Sequence, residues 1–146
     1  MRLAHPVAVA VAGRQQQPLD ESVRLIEAEG GKPGAITADV SSSAEVARLV
    51  SDTVHRHGGL HVAFNNAGML AAGPVAGMAE DDWERQLAVN VTGTFLAMKH
   101  EIGHMRDHGG GVIVNTASIV GAHVRLPDLG GFIVGHDLVL DGAASA

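Results

Sequence analysis

The sequence predicts an α/β fold with a doubly wound parallel sheet. Short β-branched runs alternate with stretches whose apolar residues recur at helical spacing. Glycines close most of these segments, and small or hydrogen-bonding residues gather at the carboxyl ends of the strand-like runs. In such sheets the ligand lies beyond those ends, where strand order reverses, so one shared cleft is expected there.

Residues 7–12 form a Val/Ala run ending at Gly13-Arg14, which reads as a buried strand. Residues 18–29 place Leu19, Val23 and Ile26 at helical spacing before Gly30-Gly31. Residues 35–40 read as a second strand. Ser42 and Glu45 form a capping box, in which hydroxyl and carboxylate satisfy each other's free backbone donors. The helix they open carries Val46, Leu49, Val50 and Val54 and stops at Gly58-Gly59. Residues 60–64 form a third strand that runs into Asn65-Asn66-Ala67-Gly68. A loop with Gly73, Pro74 and Gly77 leads to the longest helix, 80–105, with an apolar stripe of Trp83, Leu87, Val91, Phe95, Met98 and Ile102. After Gly109-Gly110-Gly111 come a fourth strand, 112–115, and Thr116-Ala117-Ser118. The last strand-like run, 132–140, ends at Asp141-Gly142.

At 146 residues the chain has the length of a single domain. Ten Lys and Arg against 16 Asp and Glu give a net charge of −6, which argues against a sequence-independent nucleic-acid binder. With 46% hydrophobic and 18% charged residues, the chain has enough apolar material for a core. The absence of cysteine excludes disulfides and thiolate-zinc sites and suits a reducing compartment. No apolar run is long enough to span a bilayer. The apolar start resembles a secretory signal, but His5-Pro6 interrupts it, so a soluble cytoplasmic protein is expected. His100, His104 and His108 lie four apart, a spacing known from zinc sites. Imidazoles near a helix C-terminus are also favoured by its dipole, and no resident metal is expected.

Asn65-Asn66-Ala67-Gly68 after a strand, Asn90 in the following helix, and Ile113-Val114-Asn115-Thr116-Ala117-Ser118 after the next strand resemble the short-chain dehydrogenase/reductase family. The terminal run 132–142 resembles that family's last strand. The resemblance implies a Rossmann-type dinucleotide-binding domain over 1–146 and NAD(P)-dependent hydride transfer on a small carbonyl or alcohol substrate. It implies that Asp39 bonds the adenine amino group, that the Val40 backbone flanks the ring, and that Asn65, Ala67 and Gly68 line the adenosine ribose. Ser118 would hold the substrate oxygen, and Asn90 a relay water. Arg14 lies just past the first strand, preceded by Gly13 where NAD-preferring members often carry an acid, and would contact a 2′-phosphate, which implies NADP rather than NAD. A homo-oligomer is expected.

The residues themselves leave other readings open. Asp39 suits a helix cap as well, Asn90 a satisfied core amide, Ser118 a turn and Arg14 a solvated charge. The sequence also departs from the family. No Gly-x-x-x-Gly-x-Gly turn occurs, so the chain is expected to begin near the family's second strand. There is no Tyr, and both lysines, Lys32 and Lys99, precede Ser118, so the Tyr-x-x-x-Lys proton-transfer pair is missing. The family's first and sixth strands are expected to be absent, leaving a truncated, incomplete domain. His123 is a neutral-pKa residue in the shortened stretch, but nothing in the sequence places it to move a proton. NADPH binding is expected to be weak or undetectable, and the chain inactive alone. The alternatives are a non-catalytic nucleotide-binding or protein-interaction remnant, and the product of an incomplete gene model. Unpaired groups in a buried sheet are costly, so 7–12 is expected to pair with 60–64 and 132–140 with 112–115.

Overall fold

A computed structural model describes residues 7–71 and 73–117. The order is β1 (Ala8–Gly13), α1 (Gln16–Ala28), β2 (Lys32–Thr37), α2 (Ser43–His57), β3 (Val62–Asn65), α3 (Glu80–Leu87), a π turn (Ala88–Thr92), α4 (Gly93–Asp107) and β4 (Val112–Asn115). Each helical segment joins two strands in the alternation the sequence predicts. The second strand starts and stops three residues earlier than its apolar pattern suggests, so Asp39 and Val40 lie in the loop beyond it.

The strands form two parallel pairs, β1 with β2 and β3 with β4. The expected pairing of 7–12 with 60–64 does not occur. That expectation assumed a buried sheet, in which open edges would leave donors and acceptors without water. No residue of β1 is buried, however, and on β3 only Ala63 is, so solvent can satisfy these edges. Helices, rather than strand pairing, link the two sheets. α2 packs on α4 through Val46, Leu96 and Ala97, with Val40 against them. The expected pairing of 132–140 with 112–115 lies outside the described residues.

The capping box is half formed. Ser42 is the N-cap and its Oγ accepts from Glu45 N at 3.4 Å. The Glu45 carboxylate reaches past Ser42 and accepts from Asp39 N at 2.9 Å, tying the loop after β2 to the helix start.

The long helix differs from expectation in two ways. It is broken by the π turn, and its apolar stripe faces outward: Trp83, Leu87, Val91, Phe95 and Ile102 are all exposed. The buried face of α4 is Gly93, Leu96, Ala97, Glu101 and Met105. The small residues set that choice, because they allow backbone-close packing. A Cβ built on Gly93 would lie 2.9 Å from Val40 Cγ2.

Candidate functional site

The segment around the π turn brings together two strand-end loops from different sheets. Asn90 receives a hydrogen bond from Met69 N on its Oδ1 and donates Nδ2 to Met69 O, both at 2.9 Å. This two-point clamp holds the end of the Asn65-Asn66-Ala67-Gly68 loop. The Asn90 Oδ1 would lie 3.5 Å from a Cβ on Gly68. Three residues on, Gly93 touches Val40 in the loop after β2. Positions 90 and 93 share a helical face, so one short segment sets the spacing between both loops. The Asn90 carbonyl accepts from Thr94 Oγ1 at 3.0 Å. Removing the clamp in Asn90→Ala is expected to speed amide exchange at Met69 by about 10-fold, since two modest hydrogen bonds are lost. An unchanged exchange rate would show that the loop is held elsewhere.

Asp39 is not a helix cap. Its Oδ1 accepts from Ser41 N at 2.9 Å and Ser41 Oγ at 2.6 Å. The Ser41 hydroxyl, then the Ser41 backbone N–H, and lastly the nearby Arg14 charge hold its carboxyl below the usual range, against a smaller opposing effect of burial. The carboxylate is thus an oriented anion with Oδ2 left to accept from a ligand. Arg14 is exposed just past β1 and makes no ion pair among the described residues. Ala38 N donates to Gly13 O at 3.0 Å, which holds the ends of β1 and β2 side by side.

At the other sheet, Asn65 and Asn115 face each other across the β3–β4 register. Asn65 Nδ2 donates to Asn115 Oδ1 at 2.9 Å and to Glu101 Oε2 at 3.0 Å. Asn115 Nδ2 donates to Met98 Sδ at 3.3 Å. Thr116 closes the next position, with its Oγ1 donating to Asn66 Oδ1 at 2.8 Å and its N–H to Asn65 O at 2.9 Å. Ala67 and Gly68 are exposed, leaving their backbone open to a ligand.

Arg14, Asp39 and Val40 therefore cluster at one pair of strand ends. Asn65, Ala67, Gly68 and Asn90 lie at the other, joined to the first through 90–93. Ser118 and His123 lie outside the described residues. Glu101, to which the sequence pattern gave no part in a nucleotide site, is buried on α4. Desolvation pushes its carboxyl up, partly offset by the Asn65 donor. Its signal was its spacing, four residues from both Ala97 and Met105 on the buried face.

The histidine series makes no metal cage. The His104 and His108 rings stack with centroids 4.1 Å apart, and His108 Nδ1 donates to His104 O at 2.7 Å. Among the described residues no three His, Asp or Glu side chains gather in a metal-holding group. Among the same residues, no helix is long and apolar enough to cross a membrane.

Comparison with known proteins agrees with this geometry. The short chain dehydrogenase family matches residues 2–129. The chain is 40% identical over 111 residues to a 2,5-dichloro-2,5-cyclohexadiene-1,4-diol dehydrogenase of Sphingobium indicum, covering 75% of this chain and 44% of that protein. Among solved structures it is similar to an NAD+-bound xylitol dehydrogenase, with 33% identity and a TM-score of 0.75 over 78% of this chain and 44% of the other. It is also similar to an actinorhodin polyketide ketoreductase variant with NADPH, with 27% identity and a TM-score of 0.77 over 83% and 56%. Solved relatives are thus seen with NAD+ in one case and NADPH in the other. The chain spans about half the length of the curated relatives it matches. By its motifs, its strand-end loops and these matches, the chain belongs to the short-chain dehydrogenase family.

Proposed function

We propose that this chain carries the adenosine half of an NAD(P) site and derives from an oxidoreductase that moves hydride between nicotinamide and a small carbonyl or alcohol. The observation that supports this reading is the joining of the Asp39–Val40 loop to the Asn65–Gly68 loop through Asn90 and Gly93. Asp39 keeps one carboxylate oxygen for the adenine amino group while Ser41 orients the other. Ala67 and Gly68 offer exposed backbone to the ribose. Ser118 is the residue to hold the substrate oxygen. The five exposed apolar side chains of α3, the π turn and α4 favour self-association. The cysteine-free composition suits the cytoplasm.

Arg14 supports NADP over NAD. It is an uncommitted guanidinium beside the adenosine position, and its planar donors match a 2′-phosphate. The absence of a glycine-rich turn removes the backbone donors that bind pyrophosphate, so affinity should be weak, on the order of a millimolar. Titrations of the 146-residue chain with NADPH and NADH, followed by amide chemical shifts, test this. Shifts should centre on Asp39, Val40 and Ala67–Gly68, and NADPH should bind tighter. Arg14→Ala should weaken NADPH about 10-fold and leave NADH unchanged, as for loss of one charged hydrogen bond. No saturable shift at 10-fold above ~1 mM NADPH would overturn the nucleotide reading. Micromolar binding would show that other donors replace the missing turn.

A further inference from the structure

Glu101 is a buried carboxyl that the nucleotide reading leaves unused, and it meets the site through one side chain. Its Oε2 accepts from Asn65 Nδ2, and the same Nδ2 group donates to Asn115 Oδ1. Asn115 then has only its own Nδ2 to offer Met98 Sδ. The order of donors along this chain is fixed at the α4 end. Glu101 Oε2 is an acceptor in this contact, so Asn65 presents its amide nitrogen to it. Reversing Asn65 would set its oxygen against the Glu101 carboxylate and against Asn115 Oδ1. With Nδ2 committed twice, Asn65 Oδ1 is the atom left without a partner among the described residues.

From this geometry we infer that Glu101 is a positioning residue for the ribose end of the nucleotide site. It sets the orientation of Asn65, and through it Asn115, so that an amide oxygen remains to accept from a ribose hydroxyl. The inference rests on the nucleotide reading above, and extends it to a residue that touches no ligand. Its burial supports the role. A carboxyl taken out of water on the packed face of α4 adds little to folding, since an apolar side chain of similar volume there is often neutral or stabilising. What the carboxyl supplies, and an apolar residue does not, is a fixed acceptor.

Three forms of the chain separate site from scaffold: the wild type, Glu101→Met and Glu101→Gln. Each is measured for thermal midpoint, for the side-chain amide resonances of Asn65 and Asn115 without ligand, and for NADPH affinity by chemical shift. Glu101→Met should keep or raise the midpoint, shift or broaden both Asn side-chain signals, and weaken NADPH about 10-fold, as for one hydrogen bond misplaced. Glu101→Gln, whose amide oxygen can still accept from Asn65, should restore both signals and come within about 2-fold of wild-type affinity. Unchanged Asn65 and Asn115 signals in Glu101→Met overturn the positioning role whatever the titration gives. Failure of Glu101→Met to fold overturns it too, because the carboxyl would then be holding the core. Altered signals in a chain whose wild type binds no NADPH overturn the nucleotide reading and the ribose assignment with it, and leave Glu101 orienting the amides alone.

Discussion

Mixed with NADPH and a panel of ketones and aldehydes, the 146-residue chain should oxidise cofactor no faster than buffer does. Reduction of a carbonyl places hydride on carbon and a proton on oxygen, so a positioned proton donor is required. General acid catalysis of that kind contributes about 10²- to 10⁴-fold. The family resemblance assigns that donor to a tyrosine assisted by a lysine four residues on. The chain contains no tyrosine, and Lys32 and Lys99 both precede Ser118. The weak cofactor binding proposed above would multiply the loss, because a chain without the glycine-rich turn also lacks those backbone donors to align the nicotinamide ring. The measurement is the decay of NADPH absorbance at cofactor concentrations above its dissociation constant, with alcohols and NADP+ in the reverse direction. Robust turnover that disappears in both Ser118→Ala and His123→Ala would overturn this expectation and make His123 the proton donor.

The sequence showed which segments are strands and helices more clearly than how they meet. Apolar runs and glycine stops mark β1 to β4 because strand formation is a local pattern. Pairing partners are not local. The expected union of 7–12 with 60–64 rested on burial of both strands, and burial depends on what the rest of the chain covers. The same limit explains the reversed face of α4. Large side chains such as Phe95 and Ile102 suggested an inward stripe, whereas Gly93 and Ala97 are what permit close approach. The site divides likewise. The strand-end placement of Arg14, Asp39, Val40 and the Asn65–Gly68 loop was legible because each follows an apolar run next to a glycine or small residue, while their roles toward a nucleotide are what the family resemblance implies. Glu101 was not, because a single carboxylate in a helix looks solvated until its neighbours at four-residue spacing are known to be buried. Asn65 is a candidate site residue by the family resemblance, but its pairing with Asn115 across the β3–β4 register follows from parallel strand pairing, which the sequence pattern alone did not fix.

Replacing Gly93 should have the largest effect on the fold, and it should reach the candidate site. A Cβ at this position would lie 2.9 Å from Val40 Cγ2, 3.2 Å from Val40 Cβ and 3.4 Å from the Val40 carbonyl. Val40 can yield little by rotation, since its β-branched side chain is stiff and its backbone is the third contact. Two effects oppose each other in Gly93→Ala. Helix propensity favours alanine by about 1 kcal/mol, while overpacking typically costs about 1–3 kcal/mol. The close contacts with backbone and Cβ put the cost toward the upper end, so Gly93→Ala should lose about 1 kcal/mol net, or a few degrees in thermal midpoint. Gly93→Val adds two further methyl groups at the same contact and forgoes most of alanine's propensity gain, so it should lose about 3 kcal/mol. Chemical denaturation of the three proteins reads this series. Because Val40 follows Asp39, relief of the clash must move the loop whose carboxylate is oriented by Ser41. Amide shifts in Gly93→Ala should therefore concentrate at residues 38–42 as well as around position 93. Equal stability of the alanine form, with shifts confined to α4, would show that Val40 is free to withdraw. It would also show that the 90–93 segment does not set the spacing of the two loops.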